Sequence, residues 1–231
     1  PHTFETIETI EARPAWNAFR AQLTETQTLA WDMTELWLAG ANVTVTVGDL
    51  LLIVAPNGSG YDASIRRVTV VESSREAARA RVFLATISTS AGSVSASKPG
   101  VYVMRSTVSP FGHNAPLQPQ YSSGVFQGTF SEWALDGAEL DSLLTLSSRN
   151  DKILDNSFVV IEQDDPDSGS RMWTFATVTA VTHRSVARYG LAGNGTRLSL
   201  STGWTKNADP KLDLLRTMTV AASGPFCASG R

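Results

Sequence analysis

The chain has 231 residues, 42% hydrophobic and 18% charged, enough to bury one large core or two small ones and too apolar for a disordered tail. Its 19 Lys+Arg against 22 Asp+Glu leave a formal net charge of −3, which excludes the concentrated positive field of a general nucleic-acid binder; the densest basic stretch, Arg75, Arg79 and Arg81, is broken by Glu76. The single cysteine, Cys227, excludes an intrachain disulfide framework.

In chain order, the first expected element is a helix. Pro14 suits a first helical position, where its missing N–H costs nothing, and Trp16, Ala18, Phe19 and Leu23 then fall on one stripe of a short helix over 14–23. The period changes to two at Val43, Val45 and Val47, which alternate with Thr44 and Thr46 as in a half-buried strand. Residues 50–54 are continuously apolar, the pattern of a strand covered on both faces. Further strands are expected at 65–71, 81–87, 101–105, 157–162, 173–181, 197–201 and 217–221. Turn chemistry marks 56–60 and 164–169 as loops, and 88–98 as a Ser/Ala/Gly connector. The segment 110–128 holds Pro110, Pro116, Pro119 and three glycines without periodicity, and is the best domain boundary.

The two sides of that boundary share an order. Gly48-Asp49 precedes a buried strand, a polar loop, a strand at 68–71 and an Arg-led strand from Arg81; Asn156-Ser157 precedes the same series, at 178–181 and from Arg197. The expected fold is mainly β: two small antiparallel β-barrel or sandwich modules with a short N-terminal helix. The divisions are a lead at 1–29, a first module at 30–108, a Pro/Gly-rich linker at 109–128, a second module at 129–222 and a tail at 223–231.

Motifs that carry chemistry are sparse. His2, His113 and His183 form no pair at metal-ligand spacing. Asp164, Asp165 and Asp167 resemble part of a calcium loop without its terminal bidentate Glu, and read better as a solvated hairpin turn. The string Asn57-Gly58-Ser59-Gly60-Tyr61 lacks the frame of a nucleophile elbow, and Glu132 and Asp136 beside Trp133 fit capping or surface roles. Residues 190–195 read as a turn rather than a phosphate loop. No catalytic residue, metal site or cofactor is expected. Of the six tryptophans, Trp16, Trp37 and Trp173 sit in apolar patterns; Trp204 alone looks loop-borne, and is the candidate ligand contact, with Tyr121 or Tyr189 beside it on a concave face. No apolar run approaches the roughly 20 residues of a membrane-spanning helix. No basic-then-apolar signal segment opens the chain, whose start at Pro1-His2-Thr3 reads as a processed end or a cut from something longer.

Several segments in order carry a resemblance. They include 4–17 with Glu11-Ala12-Arg13-Pro14-Ala15-Trp16-Asn17, then Leu36-Trp37-Leu38-Ala39-Gly40, 48–54, Phe111-Gly112-His113-Asn114-Ala115-Pro116, 177–181, 191–200 and 216–220. Together these resemble the baseplate assembly protein family of contractile injection systems and phage-like tails, whose members are considerably longer. The chain departs from that family at 150–157, where a Pro-Gly turn is expected, and at 119–130. The resemblance implies a non-enzymatic structural module that assembles with other baseplate and tail proteins, in the bacterial cytoplasm first and then on a particle. It transfers no catalytic residue. Within its two specific strings, Glu11, Arg13, Pro14 and Trp16 are expected to direct the chain into the helix. Phe111, Gly112, His113, Asn114 and Pro116 are expected to form an anchored loop, with Phe111 buried and His113 or Asn114 bonded to backbone. The other reading is a carbohydrate- or receptor-binding module displayed on such a particle.

Overall fold

The computed structural model describes residues 27–30, 32–39, 44–57, 60–74, 79–88, 99–139, 142–165, 168–205 and 210–228. The expected helix over 14–23, with Glu11, Arg13, Pro14 and Trp16, lies outside them. The protein is mainly β. Its strands are β1 (Glu35–Ala39), β2 (Leu50–Asn57), β3 (Gly60–Ser74), β4 (Arg79–Ser88), β5 (Gly100–Val108), β6 (Gln118–Ser122), β7 (Val125–Ser131), β8 (Leu143–Leu146), β9 (Phe158–Asp164), β10 (Arg171–Arg188), β11 (Leu191–Leu200) and β12 (Thr219–Ala228). Helix among the described residues is confined to a 3-10 turn at Gly137–Glu139 and a single α turn at Asp213–Arg216.

Ten strands form one antiparallel sheet in the order β1-β4-β3-β2-β5-β12-β9-β10-β11-β8, and β6 pairs with β7 apart from it. From either end the order is the same, with β5 and β12 meeting at the centre through pairs such as Val108↔Val220. The correspondence extends to single hydrogen bonds. Gly48 N and Val68 N bracket β2 by bonding Val68 O at 2.9 Å and Asp49 O at 3.0 Å; Asn156 N and Val178 N do the same before β9, to Val178 O at 2.7 Å and Ser157 O at 2.8 Å. Gly48 (φ 97) and Asn156 (φ 66) both use the left-handed backbone that glycine and asparagine tolerate. Both ladders then slip, between Val68 and Val70 and between Val178 and Ala180. In each slip a threonine hydroxyl donates across the ladder at 3.1 Å, from Thr69 to Phe83 O and from Thr179 to Ser199 O. The halves share one five-stranded topology.

Alternation along β2 and β9 distributes three cores over the two faces of the sheet. Leu51 and Ile53 join Leu36, Val68, Val82 and Leu84, whereas Leu52 and Val54 join Ile65, Tyr102, Phe158 and Val160. Val159 and Ile161 point the other way, into the largest cluster, with Val178, Leu198, Trp204 and Val220. Strands so covered must be apolar on both faces, which is why residues 51–54 tolerate no polar side chain.

Four expectations are corrected. The Val43, Val45, Val47 alternation makes no strand at 44–48. Asp49 captures Thr46 instead, through its backbone N at 2.9 Å and its hydroxyl at 3.0 Å, and this side-chain turn replaces ladder bonds. Residues 191–195 are strand, the turn being Tyr189 (φ 55) and Gly190 (φ 73). Residues 223–228, expected as tail, continue β12 against β5 through Cys227↔Tyr102 and Ala228↔Val101. Residues 109–128, expected as a Pro/Gly-rich linker, cover a sheet edge and build most of a hairpin.

Candidate interaction arm

The Phe111–Pro116 string caps the end of the sheet. Strand β8 is an edge, and an open edge is a hazard unless something covers it. Here Phe111 N donates to Thr145 O at 2.7 Å and Ser147 N to Ser109 O at 2.9 Å, with Pro110 bridged to Leu146. Phe111 is buried in the largest core, and His113 turns back to place Nδ1 3.0 Å from Pro110 O, a carbonyl that can only accept. Asn114 and Pro116 are exposed. Gly112 has φ 96, and a Cβ there would lie 2.9 Å from Tyr189 Cδ2 and 3.1 Å from Leu212 Cδ1. Gly112→Ala is therefore expected to cost about 1–3 kcal/mol through left-handed strain and overpacking, measured as a lowered urea midpoint.

From this cap the chain leaves the sheet as a hairpin. Ser123 (φ 49) and Gly124 (φ 79) form a two-residue turn with both φ positive, the geometry whose twist matches paired strands. Pro119 pairs with Phe130 and Tyr121 with Phe126, which places these four on one face. Gln118, Ser122, Val125 and Ser131 face the other way. Gln127, Gly128 and Thr129 oppose Gln120 alone, a bulge that Gly128 enters at φ 71. The ribbon is amphipathic, yet its apolar face is in water: Tyr121 is 64% exposed, Phe126 45% and Phe130 58%. Their rings pack on one another, Tyr121 to Phe126 at 5.8 Å and Phe126 to Phe130 at 5.4 Å, tilted by 54° and 60°. No Asp, Glu, Lys or Arg occurs from Ser106 to Ser131.

The root of the arm is held firmly. Arg216 binds Glu132, just after β7, through Nε at 2.9 Å and Nη2 at 3.1 Å, and Nη2 also donates to Ala115 O, just before β6, at 3.0 Å. One guanidinium thus clamps both legs, and its bonding to Glu132 raises its already high pKa. Trp133 Nε1 adds a second tie, to Pro116 O at 2.7 Å. Trp133 packs edge-on against Tyr189, whose hydroxyl accepts Asp136 N at 2.9 Å. Burial pushes the Tyr189 phenol above its usual range, against the lowering effect of its bond to Asp136. Beneath lies a buried ion pair: Glu139 accepts from Arg188 Nη1 at 2.7 Å, Thr145 N at 2.7 Å and Thr145 Oγ1 at 2.5 Å.

The structure separates the candidate ligand contacts. Trp204 is not surface-borne: it is 1% exposed, donates Nε1–H to Leu143 O at 2.8 Å and takes Gln163 Nε2 on its own carbonyl at 3.1 Å. Tyr189 is likewise buried, so Tyr121 alone of the three is in solvent. Sequence reasoning passed over Phe126 and Phe130; the signal that finds them is the Ser123-Gly124 dipeptide between aromatic-bearing segments free of charge. Elsewhere, a cleft of about 440 Å³ over the sheet is lined by Asp49, Arg67, Arg105, Glu162 and Trp173. Its arginines are engaged, Arg67 with Gly48 O at 3.2 Å and Arg105 with Thr44 O at 3.2 Å. Among the described residues no group of three or more His, Cys, Asp or Glu is placed to hold a metal ion, and no helix is long and apolar enough to cross a membrane. No protein-family model, curated protein or solved structure matches the chain.

Proposed function

We propose that this chain is a non-enzymatic structural module of a baseplate component in a contractile tail or injection particle, and that it docks onto neighbouring subunits through the β6–β7 arm. The observation that carries the reading is the arm: a charge-free ribbon with a root clamped by Arg216 and an aromatic face left in water. Aromatic side chains on a rigid support are the usual anchors of protein interfaces, because their burial is large and little conformational freedom remains to lose. The resemblance at Phe111–Pro116 supports the particle context, with assembly in the bacterial cytoplasm and later display on the particle. In this reading each five-stranded unit is a small barrel or sandwich, and the paired units form the body that holds the arm out.

Carbohydrate binding is the less favoured reading. A sugar stacks on an open, flat ring face, whereas Tyr121, Phe126 and Phe130 are tilted into one another. The test is co-sedimentation of the tagged full chain with particles from cells that make them. Incorporation that fails when residues 118–131 are replaced by a short Gly-Ser turn is the expected result. A chain that never enters particles overturns the reading, and glycan-array binding lost on Tyr121→Ala would replace it with the carbohydrate one.

A further inference from the structure

We infer that the aromatic face of the β6–β7 arm is covered by the same face of a second copy of this chain; the inference deepens the assembly reading above and rests on it. A two-stranded ribbon is marginal in water by itself and needs another layer against its apolar face. Among the described residues none supplies that layer: Tyr121, Phe126 and Phe130 belong to none of the three cores and stay 64%, 45% and 58% exposed. A second copy supplies it by symmetry, in an isologous contact where each arm is the other's missing layer.

Three further observations favour a copy of the same chain. The first is charge. The arm has no Asp, Glu, Lys or Arg, so two arms meet face to face without juxtaposing like charges. The second is area. Half-exposed Leu117, Tyr121, Phe126 and Phe130 present roughly 400 Å² of apolar surface, the centre of an interface needing about 800 Å² per partner. The third is that the sheet's own edges are blunted. Strand β8 is covered by residues 109–111, and on β1 the Trp37 backbone N is taken by Gln27 Oε1 at 2.8 Å. Edge-to-edge addition of copies is therefore hindered at these two places on the ten-stranded sheet.

The test is sedimentation equilibrium of the full chain from about 1 to 100 μM, a range that brackets interfaces of this size. The wild type is expected to form a dimer in reversible equilibrium with monomer. The triple variant Tyr121→Ser, Phe126→Ser, Phe130→Ser is expected to weaken association by about 100-fold or more while keeping the wild-type circular dichroism and melting temperature. Tyr121→Lys and Tyr121→Glu are each expected to be monomeric alone and to re-associate when mixed, because opposite charges then meet across the arms. A monomeric wild type, a dimer that survives the triple variant, or charged variants that fail to recombine overturns the inference. A monomeric wild type that still enters particles leaves the assembly reading standing. An arm-dependent dimer absent from particles does the reverse.

Discussion

Replacing Trp204 with alanine is expected to destabilise the protein by about 3–5 kcal/mol, the range for deleting a large buried aromatic. The indole is 1% exposed in the largest core, among residues that include Phe111, Tyr189 and Leu212. Truncation leaves a cavity that β-strands locked in a ladder cannot collapse to fill, and it also strips the Leu143 carbonyl of its donor. Trp204→Phe separates the two effects. It keeps most of the volume but removes Nε1–H, so it is expected to cost about 1–3 kcal/mol, the penalty for an unsatisfied buried carbonyl plus a small packing loss. Urea unfolding of both variants measures the pair. Because Phe111 and Tyr189 belong to the same cluster, Trp204→Ala is also expected to loosen the arm root, read as faster amide exchange at Ala115 and Glu132. An unchanged midpoint for Trp204→Ala would show that the side chain does not fill the core.

Where burial was written into a local run, it was legible. Residues 50–54 and 158–161 are apolar at every position because both faces of their strands are covered. The internal repeat was legible for a related reason: Gly48 and Asn156 mark identical turns into those strands. What stayed hidden depends on partners far along the chain. Trp204 stands among polar residues and reads as a loop residue, because the groups that bury it, Leu143 and Gln163, are remote in sequence. Gly195 read as part of a turn for the same reason. It is glycine because a Cβ there would come within 2.6 Å of Leu146 O, a close approach of two backbones in the β11–β8 ladder.

The arm failed to read as a hairpin on different grounds. Pro119, Gly124 and Gly128 are all breakers in a central strand, yet each is at home here: proline in a ribbon open on its outer edge, one glycine in the turn, the other in the bulge. With its aromatic face turned to solvent, nothing distinguished the segment from a linker except its lack of charge. The clamp was equally invisible. Glu132 and Arg216 are remote in sequence, and no periodicity relates them.

The second large effect is expected at the buried ion pair that ties the return of the arm to the sheet. Arg188→Met should cost about 3–5 kcal/mol, since it leaves a buried carboxylate without its counter-charge. Glu139 is 5% exposed at its side chain and Arg188 15%, so little water reaches either group. Thr145 N and Oγ1 still reach Glu139, but two neutral donors do not balance a charge in a low-dielectric site. Glu139→Gln is expected to cost less than Arg188→Met. The amide can still accept from Thr145, and the stranded guanidinium keeps Asp136, whose Oδ2 lies 3.4 Å from Arg188 Nε. The order of the two costs is the discriminating measurement. If the arginine merely packs its aliphatic stem, Arg188→Met is nearly neutral and the order reverses. If it neutralises Glu139, Arg188→Met is the worse variant. In that case Arg188→Met combined with Glu139→Gln recovers part of the loss, because removing the buried charge removes the need for its partner. The same double variant bears on assembly. Residues 132–139 return from β7 through the Arg216 clamp to this pair, so a chain that recovers stability without Arg188 should also recover the fixed root on which the aromatic face depends.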